Sequence, residues 1–106
     1  TPEGVDGALR IVPAQIAWLE TQIDVANETL EPLKSFILPA GTPSATHLHL
    51  ARTIVRRAER DAVAAGDEIS AVARHYLNRL SDLLFVLARV ENAATGDVLW
   101  VPGANR

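Results

Sequence analysis

The 106-residue sequence has no cysteine, which excludes a disulfide framework and any thiolate metal site. Its longest apolar run, Leu83 to Ala88, is far short of the roughly 20 residues a membrane span needs. No basic segment leads into an apolar one near the start, so no signal peptide is visible. Methionine is missing too, and the chain begins at Thr1. An intact product would normally start with methionine, so we expect a piece of a longer chain, from a reducing cytoplasm. Charge of one sign is also lacking. The net charge is −3 and the pI about 5.5, against an electrostatically driven nucleic-acid or membrane-surface protein. No Walker sequence, glycine-rich phosphate loop, Ser/His/Asp constellation, internal repeat or low-complexity tract occurs. The length allows one domain at most, or part of one, with a thin core.

What is present reads as helix. Thr1 to Leu9, rich in Gly, Pro and acid, is a loop or lead-in. Pro13 suits a first helical turn, and Ile16, Leu19, Ile23, Ala26 and Leu30 follow at spacings of 3, 4, 3 and 4, until Pro32 ends the pattern. The segment Leu33 to Gly41 is too apolar for an ordinary loop and should lie against something. Thr42-Pro43 is an N-cap followed by a first-turn proline, and Gly66 stops that second helix after Ala65. A third helix begins between Asp67 and Ser70 and runs to about Asn92. Asp97 to Val101 is short and β-prone, and Pro102-Gly103 closes it. Three antiparallel helices with short connections predict an all-α fold, part of an up-and-down bundle.

Seven of the ten basic residues (Arg52, Arg56, Arg57, Arg60, Arg74, Arg79, Arg89) fall in the second and third helices. At about 100° per residue, Leu48, Ala51, Ile54, Val55, Ala58 and Ala62 should form the packing face of the second helix. His49, Arg52, Arg56, Glu59 and Arg60 should form a stripe beside it. Guanidiniums ranged together repel unless an anion lies among them, and their forked geometry matches phosphate oxygens. Arg and Glu at these spacings also make ordinary surface ion pairs. In the third helix, Tyr76, Leu77, Leu80, Leu83, Leu84, Leu87 and Val90 make the apolar face. Arg74, Asn78, Asp82, Phe85 and Arg89 lie opposite. Asn78 can serve a ribose hydroxyl or a phosphate. Phe85 among polar residues implies that another helix or chain covers this second face. His47 and His49 point about 200° apart, which excludes their sharing a metal ion from the helix. These residues alone describe a phosphate-compatible bundle, not a reaction.

Three stretches resemble the PduO-type ATP:corrinoid adenosyltransferases: Ser35 to Gly41, His49 to Arg60 (with the run Arg56-Arg57-Ala58-Glu59-Arg60), and Tyr76 to Arg89. Gly96 to Trp100 resembles the family's ending. The pairing of the second and third stretches is specific, and the likeness spans about Leu33 to Trp100. It implies that residues 1–106 are the C-terminal part of a single domain, a five-helix ferritin-like bundle with about three helices here. The family assembles as a homotrimer with active sites between subunits. It binds ATP with Mg²⁺ and a reduced corrinoid, and transfers the 5′-deoxyadenosyl group of ATP to the cobalt of cob(I)alamin.

Carried over residue by residue, the resemblance makes Arg56, Arg57, Ala58, Glu59, Arg60 and Asn78 the ATP contacts. Arg52 matches an arginine whose inter-subunit salt bridge is needed for activity, and Arg52 and Arg56 are the expected catalytic pair. Phe36 matches the phenylalanine packed on the corrin side, which helps displace the lower axial ligand. A corrinoid reductase and an adenosylcobalamin-dependent enzyme are the implied partners, with neither nucleic acid nor membrane. The family's glycine-rich ATP loop has no counterpart here, and Ala40 replaces a more usual glycine. A non-catalytic nucleotide- or corrinoid-binding bundle is the alternative.

Overall fold

Pro13 opens the first helix, where its missing N–H costs no hydrogen bond. The Val12 N–H donates to Gln15 Oε1 at 3.0 Å, which satisfies one donor at the helix entrance. The computed structural model describes residues 10–33 and 35–101, so Thr1 to Leu9, Lys34 and the Pro102-Gly103 close lie outside the described residues. Helix α1 spans Pro13–Asn27, α2 Pro43–Ala65 and α3 Ala71–Glu91, with a 3₁₀ turn at Gly66–Glu68 between the last two. Helix α1 stops short of Pro32, and Leu30 lies outside it. Ile16 and Leu19 are buried, while Ile23 and Ala26 are half-buried. None of the helices is long and apolar enough to cross a membrane.

Local chemistry sets the other boundaries. Thr42 caps α2 by accepting from the Ala45 N–H at 3.2 Å, and Ser70 caps α3 by accepting from the Ala73 N–H at 3.1 Å. Gly66, at φ 61° and ψ −128°, takes a positive-φ conformation open to glycine and ends α2. Arg74 then donates to the Gly66 and Ile69 carbonyls at 3.0 and 2.6 Å, placing a cation on the negative end of α2. This gives Arg74 a structural task within the turn.

Contacts along α2 and α3 run in opposite senses. Ser44 donates to the Glu91 carboxylate at 2.9 Å, His49 lies against Phe85, and Glu59 accepts from Asn78. The two helices are therefore antiparallel. Arg89 near the end of α3 donates to the Glu31 carbonyl just past α1, so α1 runs with α3. Helices α1 and α2 both pack on α3, and their backbones do not approach each other closely. The result is an open layer with extents of 53 × 32 × 22 Å and α3 in the middle. From Tyr76 to Val90 no residue of α3 is exposed, as expected of a bundle's central helix.

The packing face of α2 differs from the expected one. Ala45, His49 and Ala62 are buried and Leu48, Arg52, Val55 and Glu59 half-buried, whereas Ile54 is 62% exposed and Ala58 is exposed. The seam follows positions 45, 48/49, 52, 55, 59 and 62. Arginine and histidine pack there through their apolar bodies.

Candidate functional site

Two regions carry the predicted residues, and each is built by a different contact with α3. The first lies midway along α2. Glu59 faces Asn78, whose Nδ2 donates to Glu59 Oε2 at 3.0 Å. Asn78 Oδ1 accepts from Arg79 Nε and Nη2 at 3.1 and 2.7 Å, and Arg79 Nη2 also reaches Asp82 Oδ2 at 2.5 Å. The Asn78 amide is thus oriented from both ends, with one amide proton still to donate. Sequence reasoning assigned Glu59 and Asn78 separately to the same ligand, and the structure brings them into contact.

Arg52 lies beside this network, its guanidinium carbon 5.0 Å from the centroid of Phe85. His49 meets the same ring edge-on at 6.3 Å. Helix α2 is therefore what covers Phe85. Burial and then the neighbouring Arg56 lower the pKa of Arg52, and Asp82 works in the opposite direction. Arg52 Nε is buried without a hydrogen-bond partner. Among the described residues, Arg52, Arg56, Arg57 and Arg60 form no ion pair. Arg56, Arg57, Ala58 and Arg60 are exposed, so three solvent-facing cations lie on α2 within three residues of Glu59. Such an array has a strong preference for a polyanion. No three His, Cys, Asp or Glu side chains converge into a metal cage among the described residues.

The second region lies at the far end of α3. The apolar segment does lie against something, the β-prone tail, through a bridge between Ile37 and Leu99. It is nonetheless not buried, because Phe36 is 77% exposed. Asn92, which sequence reasoning treated only as a helix end, anchors this segment. It is 1% exposed, donates to the Ala40 carbonyl and accepts from the Thr42 N–H, both at 2.9 Å. Gly41, at φ 124°, makes room, since a Cβ there would collide with the Asn92 amide. Arg89 pairs with Asp97 at 2.9 Å and holds the tail to α3. A cleft of about 410 Å³ separates the tail from the end of α1, lined in part by Leu30, Leu33, Arg89, Asp97 and Leu99. Arg56 lies fourteen residues along α2 from Thr42, about 21 Å along the axis. Within one chain, then, the arginine cluster sits midway along α2, well away from the start of that helix, beside which the Phe36 segment is anchored.

Residues 1–91 match the family model for cobalamin adenosyltransferase. The chain belongs to the cobalamin adenosyltransferase family. A corrinoid adenosyltransferase of Mycobacterium tuberculosis is 54% identical over 102 residues, covering 92% of this chain and 52% of that protein. The corrinoid adenosyltransferase of Bacillus subtilis is 47% identical over 89 residues, covering 82% of this chain and 46% of that protein. The chain thus spans about half the length of the curated relatives it matches. Among solved structures, a variant PduO-type adenosyltransferase from Lactobacillus reuteri complexed with ATP superposes with a TM-score of 0.80 at 36% identity. That match covers 95% of this chain and 59% of the other. A second variant of the same enzyme, complexed with cobalamin and ATP, gives 0.78 at 36% identity, covering 94% and 59%. The all-α reading is borne out by the helices and these neighbours.

Proposed function

We propose that this chain supplies the phosphate-facing helix and the corrin-facing segment of an enzyme that adenosylates a reduced corrinoid. The 5′-deoxyadenosyl group of ATP passes to the cobalt of cob(I)alamin, giving adenosylcobalamin and triphosphate. Cobalt(I) attacks the 5′ carbon, a cobalt–carbon bond forms and the carbon–oxygen bond to triphosphate breaks. The electron pair leaves on that oxygen, and the cobalt becomes formally Co(III). No protein nucleophile or proton transfer is required. What the chain must supply is position and positive charge.

The observation that carries this reading is a run of guanidiniums without ion pairs among the described residues, beside the Glu59–Asn78 contact, in a chain whose relatives are corrinoid adenosyltransferases. Arg56, Arg57 and Arg60 are suited to the phosphates, and Glu59 and Asn78 to fixing the nucleoside end. Ala58 provides closeness rather than a polar contact. The described residues offer no dedicated cation cage, which suits Mg²⁺ carried in on phosphate oxygens. Phe36 takes the corrin side, where it favours loss of the lower axial ligand. Arg52, half-buried and without an ion-pair partner among the described residues, is poised for a carboxylate from another copy. That, with the separation of the two regions, supports a homotrimer whose sites lie between subunits. The same reading calls for a reductase that supplies the low-valent corrinoid and an adenosylcobalamin-dependent enzyme that takes the product, in the cytoplasm.

The test is anaerobic incubation of the full-length protein with ATP and chemically reduced cobalamin. Adenosylcobalamin and triphosphate should form in equal amounts. Binding of both ligands without product would leave only the non-catalytic alternative.

A further inference from the structure

The bridge between Ile37 and Leu99 fixes the register of two antiparallel strands. The Leu38 N–H donates to the Val98 carbonyl and the Trp100 N–H to the Phe36 carbonyl, each at 2.7 Å. Phe36 therefore stands directly opposite Trp100, and Leu38 opposite Val98. Side chains alternate along a strand, so these four residues share one face. Leu99, on the other face, lines the cleft against Arg89 and the end of α1, which turns the four-residue face away from the helices. All four are open to solvent, at 77%, 45%, 39% and 38% for Phe36, Trp100, Leu38 and Val98. A flat apolar platform is thus held out on a two-stranded ribbon.

The ribbon itself is firmly tied. Asn92 clamps its entrance at Ala40 and Thr42, Arg89 holds Asp97 at its exit, and Ser35 Oγ donates to the Trp100 carbonyl at 3.1 Å. By contrast, the Phe36 side chain stands largely in solvent. Its ring contact among the described residues is Trp100, with centroids 6.0 Å apart and planes at 67°. Edge-to-face pairs of this kind are attractive beyond the area they bury.

We propose that Trp100 is a corrin-contacting residue that also positions Phe36, the macrocycle lying on the face made by Phe36, Leu38, Val98 and Trp100. This rests on the corrin-side assignment of Phe36 above. The ring of a corrin is broad and, inside its peripheral amides, apolar, which matches a small apolar platform. Continuity with Phe36 makes that ligand the occupant.

The experiment compares Trp100→Ala, Trp100→Phe, Phe36→Ala and the double variant of the full-length protein. It uses steady-state kinetics with ATP and either cob(I)alamin or cob(I)inamide. Trp100→Ala should raise the corrinoid KM by about tenfold, as for loss of an aromatic anchor, and leave the ATP KM within about twofold. Trp100→Phe should recover most of that loss. Adding Phe36→Ala should cost less than the product of the single effects, because the rings act together. The loss should be similar with cob(I)inamide, since Co(I) holds no lower ligand in either corrinoid and the platform meets the macrocycle itself.

A corrinoid KM unchanged in Trp100→Ala while Phe36→Ala raises it overturns the role of Trp100 alone. A silent Phe36→Ala overturns the assignment of Phe36, and a raised corrinoid KM in Trp100→Ala would then support Trp100 on its own. Parallel rises in both KM values without rescue by phenylalanine would show a purely structural residue and overturn the proposal.

Discussion

Arg56 sits one turn beyond Arg52 on α2, close enough to lower its neighbour's affinity for a proton, yet it has no ion-pair partner among the described residues. If that charge waits for phosphate, Arg56→Ala should reduce kcat/KM for ATP by about 2 kcal/mol or more, because a charge-assisted contact is lost. Unchanged kinetics would remove Arg56 from the site. His49 makes a separate prediction. Burial first, then Arg52, lowers its pKa from the ordinary value of 6.5, while Asp97 of the tail pulls the other way. The folded protein therefore holds His49 neutral, and below about pH 6.5 the unfolded chain binds more protons there. Stability should fall as pH drops from about 6.5 through the lower folded value, and His49→Gln should flatten that dependence in thermal melts taken across the range. An unchanged slope would sink the assignment.

At the scale of elements, α3 bears the fold. Leu83 is buried on the one helix that touches both others, so Leu83→Ala should cost about 2–5 kcal/mol in denaturant unfolding. A loss below about 1 kcal/mol would mean the helices repack around α3. The starts of α2 and α3 and the stop at Gly66 were legible in the sequence because caps and glycines at positive φ act locally. The end of α1 was less so, since nothing in its spacing marks Asn27 over Leu30. The packing face of α2 was misjudged for a clear reason. Ile54 and Ala58 outweigh His49 and Arg52 in any count of apolar residues, but Phe85 on α3 draws the imidazole and the guanidinium inward, which leaves Ile54 and Ala58 exposed. The Glu59–Asn78 contact and the facing of Phe36 with Trp100 join residues 19 and 64 positions apart, and no local pattern encodes such pairings. The family resemblance supplied the roles of those residues; their juxtaposition came from the fold.

For the whole molecule, the open layer leaves apolar side chains on its outer surface, Trp18 and Val25 on α1 and Leu50, Ile54 and Val63 on α2. Further helices or copies that cover this surface would make it interior. Ile54→Glu in the full-length protein should then destabilise by about 2 kcal/mol or more, the cost of burying an unpaired charge. A change within about 0.5 kcal/mol, read from urea midpoints, would instead mark Ile54 as solvent-facing. The contact between Gly41 and Asn92 reaches further, into how the sequence can drift. The turn has no space for a Cβ because the Asn92 amide occupies it, and that amide has no equivalent partners elsewhere. Positions 41 and 92 should therefore covary across homologous proteins, with any lineage that enlarges the first also replacing the second.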